Sequence, residues 1–87
     1  MRVRVKFVST TRKKYGLTDF WLFLGDDATV EDVLARIERE HGVSINLEDT
    51  GVAVLVNGKR LEFIGGPKAK LRDLDEIVIM PIIAGGI

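Results

Sequence analysis

Ile77-Val78-Ile79-Met80-Pro81-Ile82-Ile83-Ala84-Gly85-Gly86-Ile87 is the stretch on which the reading of the fold turns. Residues 77–80 are apolar at every position, which fits an interior strand covered on both faces. Pro81 has no ladder donor and suits the boundary of a sheet. Beyond it the side chains shrink to Ala84 and the pair Gly85-Gly86, and one isoleucine follows. Glycine lacks Cβ, so such a pair can lie close to another backbone or enter a narrow channel. An interior strand needs neighbours on both sides, and the rest of the chain has to supply them.

Arg2-Val3-Arg4-Val5-Lys6-Phe7-Val8 alternates strictly between charged and apolar residues, the pattern of a half-buried strand. Residues 9–18 are polar, contain Gly16 and read as a loop in which Arg12-Lys13-Lys14 is solvated. Asp19-Phe20-Trp21-Leu22-Phe23-Leu24 reads as a second strand, antiparallel to the first. Thr29 fits a helix N-cap, with Glu31 and Asp32 suited to the first turn. Val30, Val33, Leu34, Ile37 and His41 then recur at helical spacing, and Gly42 is a natural end.

Val52-Ala53-Val54-Leu55-Val56 reads as a third strand, and Asn57-Gly58 as a type I′ turn into a return strand over 59–63. Residues 68–74 form a connector, with a helical turn expected at Leu71–Leu74. The order β-β-α-β-β-β predicts an α+β protein with one main helix across one face of a mixed four- to five-stranded sheet. In the β-grasp arrangement of such a sheet, the first and last strands lie parallel at its centre. The expected division is a domain over 1–81 and a flexible Gly-Gly tail over 82–87.

The 87 residues suffice for one domain. There is no cysteine, which excludes disulfides, thiolate metal sites and cysteine nucleophiles. Lys+Arg and Asp+Glu both count 13, so the chain lacks the basic excess of a nucleic-acid or acidic-membrane binder. Neither a membrane span nor a signal-peptide core is visible, and the chain reads as cytoplasmic. The lone His41 reads as structural. The acids Asp26, Asp27, Asp73, Asp75 and Glu76 read as turn residues rather than acid–base pairs. No metal or cofactor site is expected, and no intrinsic catalytic centre.

One helix covers one face of a sheet, yet 20–24, 52–56 and 77–83 are apolar at nearly every position. The second face is therefore expected to dock a partner, unless loops 9–18 and 64–74 fold over it or the chain dimerises.

Five segments together resemble the MoaD/ThiS sulfur-carrier branch of the ubiquitin-like β-grasp proteins, with MoaD, the molybdopterin synthase small subunit, nearer. They are Ala28-Thr29-Val30-Glu31-Asp32-Val33-Leu34, Val56-Asn57-Gly58-Lys59, Leu71-Arg72-Asp73-Leu74-Asp75-Glu76-Ile77, Pro81-Ile82-Ile83-Ala84 and Gly85-Gly86. The resemblance implies that Gly86, beside Gly85, is the acyl carrier. An ATP-using activating enzyme would adenylate it, and sulfur would then make a thiocarboxylate for molybdenum or tungsten cofactor synthesis. Pro81, Ile82, Ile83 and Ala84 would meet the partners, which include the molybdopterin synthase large subunit. The alternatives are a ubiquitin-like modifier joined to lysines through Gly86, and a non-catalytic binding module.

Two positions depart from the family pattern. Leu74 replaces a usual glycine and is expected to change local geometry and little else. Ile87 follows the usual last glycine, so a protease that removes it joins the expected partners.

Overall fold

The computed structural model of the chain describes residues 1–82. Strand β1 (Arg2–Phe7) leads into a short helix α1 (Thr10–Tyr15), then strand β2 (Asp19–Phe23) and the main helix α2 (Val30–His41). Strands β3 (Val52–Val56), β4 (Lys59–Arg60) and β5 (Glu76–Pro81) follow, with 3-10 turns at Leu61–Phe63 and Gly66–Lys68. The sheet has five strands in the order β2-β1-β5-β3-β4. β1 and β5 run parallel, and the other pairs are antiparallel. This is the β-grasp arrangement expected from the order of elements.

The alternation of β1 sends Val3, Val5 and Phe7 into the core, each fully buried. Ile77 and Ile79 of β5 lie beside Val5 and Phe7 in register. Val30, Val33 and Ile37 of α2 close the core from one side. Burying each such side chain is worth about 1.5–3 kcal/mol, so this face dominates the stability.

Helix α2 begins where the sequence placed it. Thr29 and Asp32 form a reciprocal cap: Asp32 N–H donates to the Thr29 hydroxyl at 3.3 Å, and Thr29 N–H donates to the Asp32 carboxylate at 2.9 Å. Gly42 ends the helix at φ 69°. Asn57 and Gly58 both have positive φ, as a type I′ turn requires.

Three local expectations are corrected. Residues 9–18 contain helix α1, not only loop. The Thr11 side chain is buried and its hydroxyl lies 2.6 Å from Val8 O and 2.9 Å from Ile79 O, while Arg12 Nε donates to Phe7 O. Tertiary contacts of this kind stabilise a helix too short to stand alone. The return strand is two residues long, because Leu61 turns into the core as a 3-10 turn begins. The connector shows no helix at Leu71–Leu74; Lys70 instead forms an antiparallel bridge with Thr29.

Leu74 stands where the family pattern has glycine. It keeps a positive φ of 71°, with its N–H bonded to Arg2 O at 2.7 Å. This is a left-handed backbone that glycine adopts freely, so leucine carries a conformational cost there.

Candidate functional site

The site is the end of β5, where Pro81 and Ile82 lead toward Gly85-Gly86. Ile82 N–H bonds Gly51 O at 2.8 Å, which extends the antiparallel β3 ladder one step beyond Val52 and Pro81. Even-numbered residues of β5 therefore turn their backbone toward β3, and odd-numbered ones toward β1. Ile79 O accepts from Val8 N–H at 3.1 Å on the β1 side. The nitrogen of Pro81 faces the same side, but β1 has already ended at Phe7. Proline here removes no ladder bond, which explains why it is tolerated in an interior strand.

Two loops brace this strand end. On one side Thr11 ties α1 to Ile79 O. On the other, the Asp49 carboxylate accepts from Gly51 N–H at 2.8 Å and pairs with Lys14 Nζ at 2.8 Å. The hydrogen bond from Lys14, then that from Gly51, holds the Asp49 carboxyl below its ordinary value; the same Asp49 contact raises Lys14. Lys14, Asp49 and Gly51 thus connect α1 to the carbonyl that anchors Ile82. The sequence reading missed this brace because it left Lys14 solvated. Asp49-Thr50-Gly51, an Asx-turn pattern, was the available signal.

A groove of about 460 Å³ lies beside this anchor. Leu47, Val52, Leu61, Pro67 and Ile82 line it, with Asp49, Arg60 and Glu62 at its polar margin. Pro81 and Ile82 are both half-buried. Ile83, Ala84, Gly85 and Gly86, the other residues singled out by sequence, lie outside the described residues.

The face opposite α2 is uncovered among the described residues. Tyr15, Leu17, Ile64 and Ala69 all pack against the core cluster, so α1 and the 61–71 connector fold to the helix side. The register places Trp21 and Phe23 on the open face beside Arg4 and Arg2. It puts Val78, Met80, Ala53 and Leu55 together on the same face of β5 and β3. Cationic β1 thus divides an aromatic edge from an aliphatic centre. Arg2 and Arg4 both sit over the Trp21 ring, 5.9 and 5.6 Å from its centroid.

The acids of the turn before β5 are engaged in structure. Asp73 accepts from Arg2 N–H and Asp75 from Arg72 N–H, both at 2.7 Å, and Asn57 bridges Asp75 and Glu76. The His41 ring lies 4.9 Å from that of Phe20 at the end of α2. No described helix is long and apolar enough to cross a membrane.

Comparison with known proteins fits this geometry. The sequence matches the ThiS family over residues 5–86. It is 34% identical over 92 residues to small archaeal modifier protein 3 of Haloferax volcanii, covering 99% of this chain and 100% of that protein. It is 31% identical over 87 residues to the molybdopterin synthase sulfur carrier subunit of Chlamydomonas reinhardtii, again covering 99% and 100%. The solution structure of the Haloferax volcanii HVO 2177 protein superposes with a TM-score of 0.77 at 35% identity, covering 99% of this chain and 87% of that one. The match over residues 5–86, together with relatives covered along their whole length, places this chain in the ThiS family of ubiquitin-like β-grasp proteins, with a sulfur carrier and a small modifier among its relatives.

Proposed function

We propose that this chain is a cytoplasmic sulfur carrier for molybdenum or tungsten cofactor synthesis, working through Gly86 once Ile87 has been removed. The observation that carries the reading is the family match, which runs through Gly86 and leaves Ile87 outside. The Gly86 carboxylate attacks the α-phosphorus of ATP on an activating enzyme, forming an acyl adenylate and releasing pyrophosphate. Hydrosulfide then attacks the acyl carbon and AMP leaves with the bonding pair. The product is a thiocarboxylate, and the hydrosulfide proton passes to solvent. A β-branched residue at the acyl position would crowd that carbon, which is why trimming precedes activation in this reading.

The chain's own part is to present the tail. Pro81 and Ile82 set its direction, braced by Thr11 on one side and Asp49-Gly51 on the other. The partner's channel then takes up Gly85-Gly86. The open face and the groove beside Ile82 are the docking surfaces, for the activating enzyme first and the synthase large subunit second.

The test is incubation with an activating enzyme of the same genome, ATP and sulfide, followed by intact-mass measurement. A chain truncated at Gly86 is expected to exchange one oxygen for sulfur, and the full-length chain to do so only after a protease from the same host has removed Ile87. A chain truncated at Gly86 that returns unmodified would sink the reading.

A second reading, conjugation of Gly86 to protein lysines, is favoured by the similarity to a small archaeal modifier protein. Tagged chain recovered from its host would then show a high-mass ladder that vanishes when Gly86 is deleted.

A further inference from the structure

Strand β2 is an edge strand without the usual protections. Phe7 N–H bonds Thr18 O at 3.2 Å, and Leu24 N–H bonds Met1 O at 2.8 Å. With the β1–β2 register, this turns the backbone of Phe20 and Leu22 toward β1. The backbone of Asp19, Trp21 and Phe23 faces outward. Among the described residues, the hydrogen bond found on that outward row is Arg36 Nη1 to Phe23 O at 3.1 Å, and a carbonyl oxygen can accept a second donor.

The side chains along the edge are also open. Trp21 is 46% exposed and Phe23 67%. Residues 19–24 contain no proline, glycine or lysine, and their one charge, Asp19, is paired with Arg4 at 3.5 Å. Native edges are normally blunted by shortness or charge. The opposite edge of this sheet is blunted in just that way, since β4 is two residues long and both are charged. A long, apolar, hydrogen-bond-ready edge on one side alone marks a strand-pairing surface.

We propose that β2 pairs antiparallel with β2 of a second copy, on a two-fold axis through Trp21. The outward row then bonds to itself, Trp21 with the second copy's Trp21 and Asp19 with its Phe23. An isologous interface requires this self-complementarity. On the open face, aromatic rings meet across the axis and no like charges are opposed. Arg2, which has no carboxylate partner among the described residues, lies beside Phe23 and so across it from the second copy's Asp19. On the core side, Phe20 comes opposite the second copy's Leu22. β5, which ends at Pro81, lies two strands in from the joined edge. The pairing does not depend on the sulfur-carrier reading.

The chain has no cysteine, which makes a register-specific test possible. Asp19→Cys and Phe23→Cys variants are oxidised separately and as a mixture, with exposed Glu38→Cys as control. Directly opposed residues lie about 5.5 Å apart at Cα, within disulfide reach. The mixture should cross-link, while each variant alone should remain at the control level, because identical residues at 19 or 23 are not opposed. Sedimentation of the unmodified chain should show a mass rising toward dimer with concentration. Trp21→Lys, checked for unchanged helical circular dichroism, should abolish that rise. A mixture that cross-links no faster than the control would overturn the proposal. So would an unmodified chain that stays monomeric to about 1 mM, including the case in which the edge captures a strand from another protein instead.

Discussion

Replacing Leu74 by glycine should make this protein more stable, although it removes a large side chain. Leu74 sits at φ 71°, where a residue with a Cβ loses about 1–2 kcal/mol relative to right-handed or extended backbone. The residue is 56% exposed, and the unfolded chain also shields part of a leucine, so the net burial lost is small. Glycine has more unfolded-state freedom, a loss of roughly 0.5–1 kcal/mol against a residue with a side chain. The balance is a gain of about 0.5–1 kcal/mol. For a domain of this size, that raises Tm by about 2–8 °C. The backbone bonds of the turn, Leu74 N–H to Arg2 O and Asp75 N–H to Arg72 O, stay in place. Thermal and urea unfolding of wild type, Leu74→Gly and Leu74→Ala would measure the effect. Alanine keeps the Cβ and should not share the gain. Equal stabilisation by alanine and glycine would refute the reasoning, since it would locate the effect in the leucine side chain instead of the backbone.

Thr29→Ala removes one half of the α2 cap and should lower unfolding free energy by about 1 kcal/mol; an unchanged urea midpoint would contradict it. Thr11→Val strips the buried hydroxyl that binds Val8 O and Ile79 O, and a loss of about 1–3 kcal/mol is expected. Hydrogen exchange should quicken at the Gly16 amide, which closes α1 onto Arg12 O. The Asp49 carboxyl is lowered from 3.8 in the folded chain, so its contribution is full above that value and is lost as pH falls through the folded one. Lys14 is raised from 10.5, so its contribution is full below that value and is lost as pH rises through the folded one. The difference in stability between wild type and Asp49→Asn should therefore be level between about pH 5 and 9 and shrink in acid. A difference that grew in acid would reverse the assigned sign.

The elements legible in the sequence were those whose pattern is local. β1 follows from alternation, α2 from its spacing and its Thr29 and Gly42 ends, and the hairpin from Asn57-Gly58. The interior position of β3 and β5 was visible in their unbroken apolar runs. What escaped was the structure that depends on distant partners. Helix α1 looks polar over six residues, and it forms because Thr11 and Arg12 bond backbone carbonyls of β1 and β5. The return strand stopped early because Leu61 is drawn into a core that its neighbours do not reveal. The Lys14–Asp49 brace joins residues 35 positions apart.

The candidate site divides in the same way. Family membership and the small-residue end at Gly85-Gly86 are written in the order of the amino acids. Whether the second sheet face is bare was not. Apolar strands on two faces are compatible with loops folded over either one. The packing of Tyr15, Leu17, Ile64 and Ala69 on the helix side decided it. Burial against α2 completes a core there, and the cationic row of β1 makes the other face a poor place to bury them. Periodicity and turn chemistry act through neighbouring residues, so the sequence alone determined β1, β2, α2, β3, the Asn57-Gly58 turn and β5, in that order. Anchoring Ile82 between two braces, and leaving β2 an open edge, required contacts between distant segments that only the tertiary structure could decide.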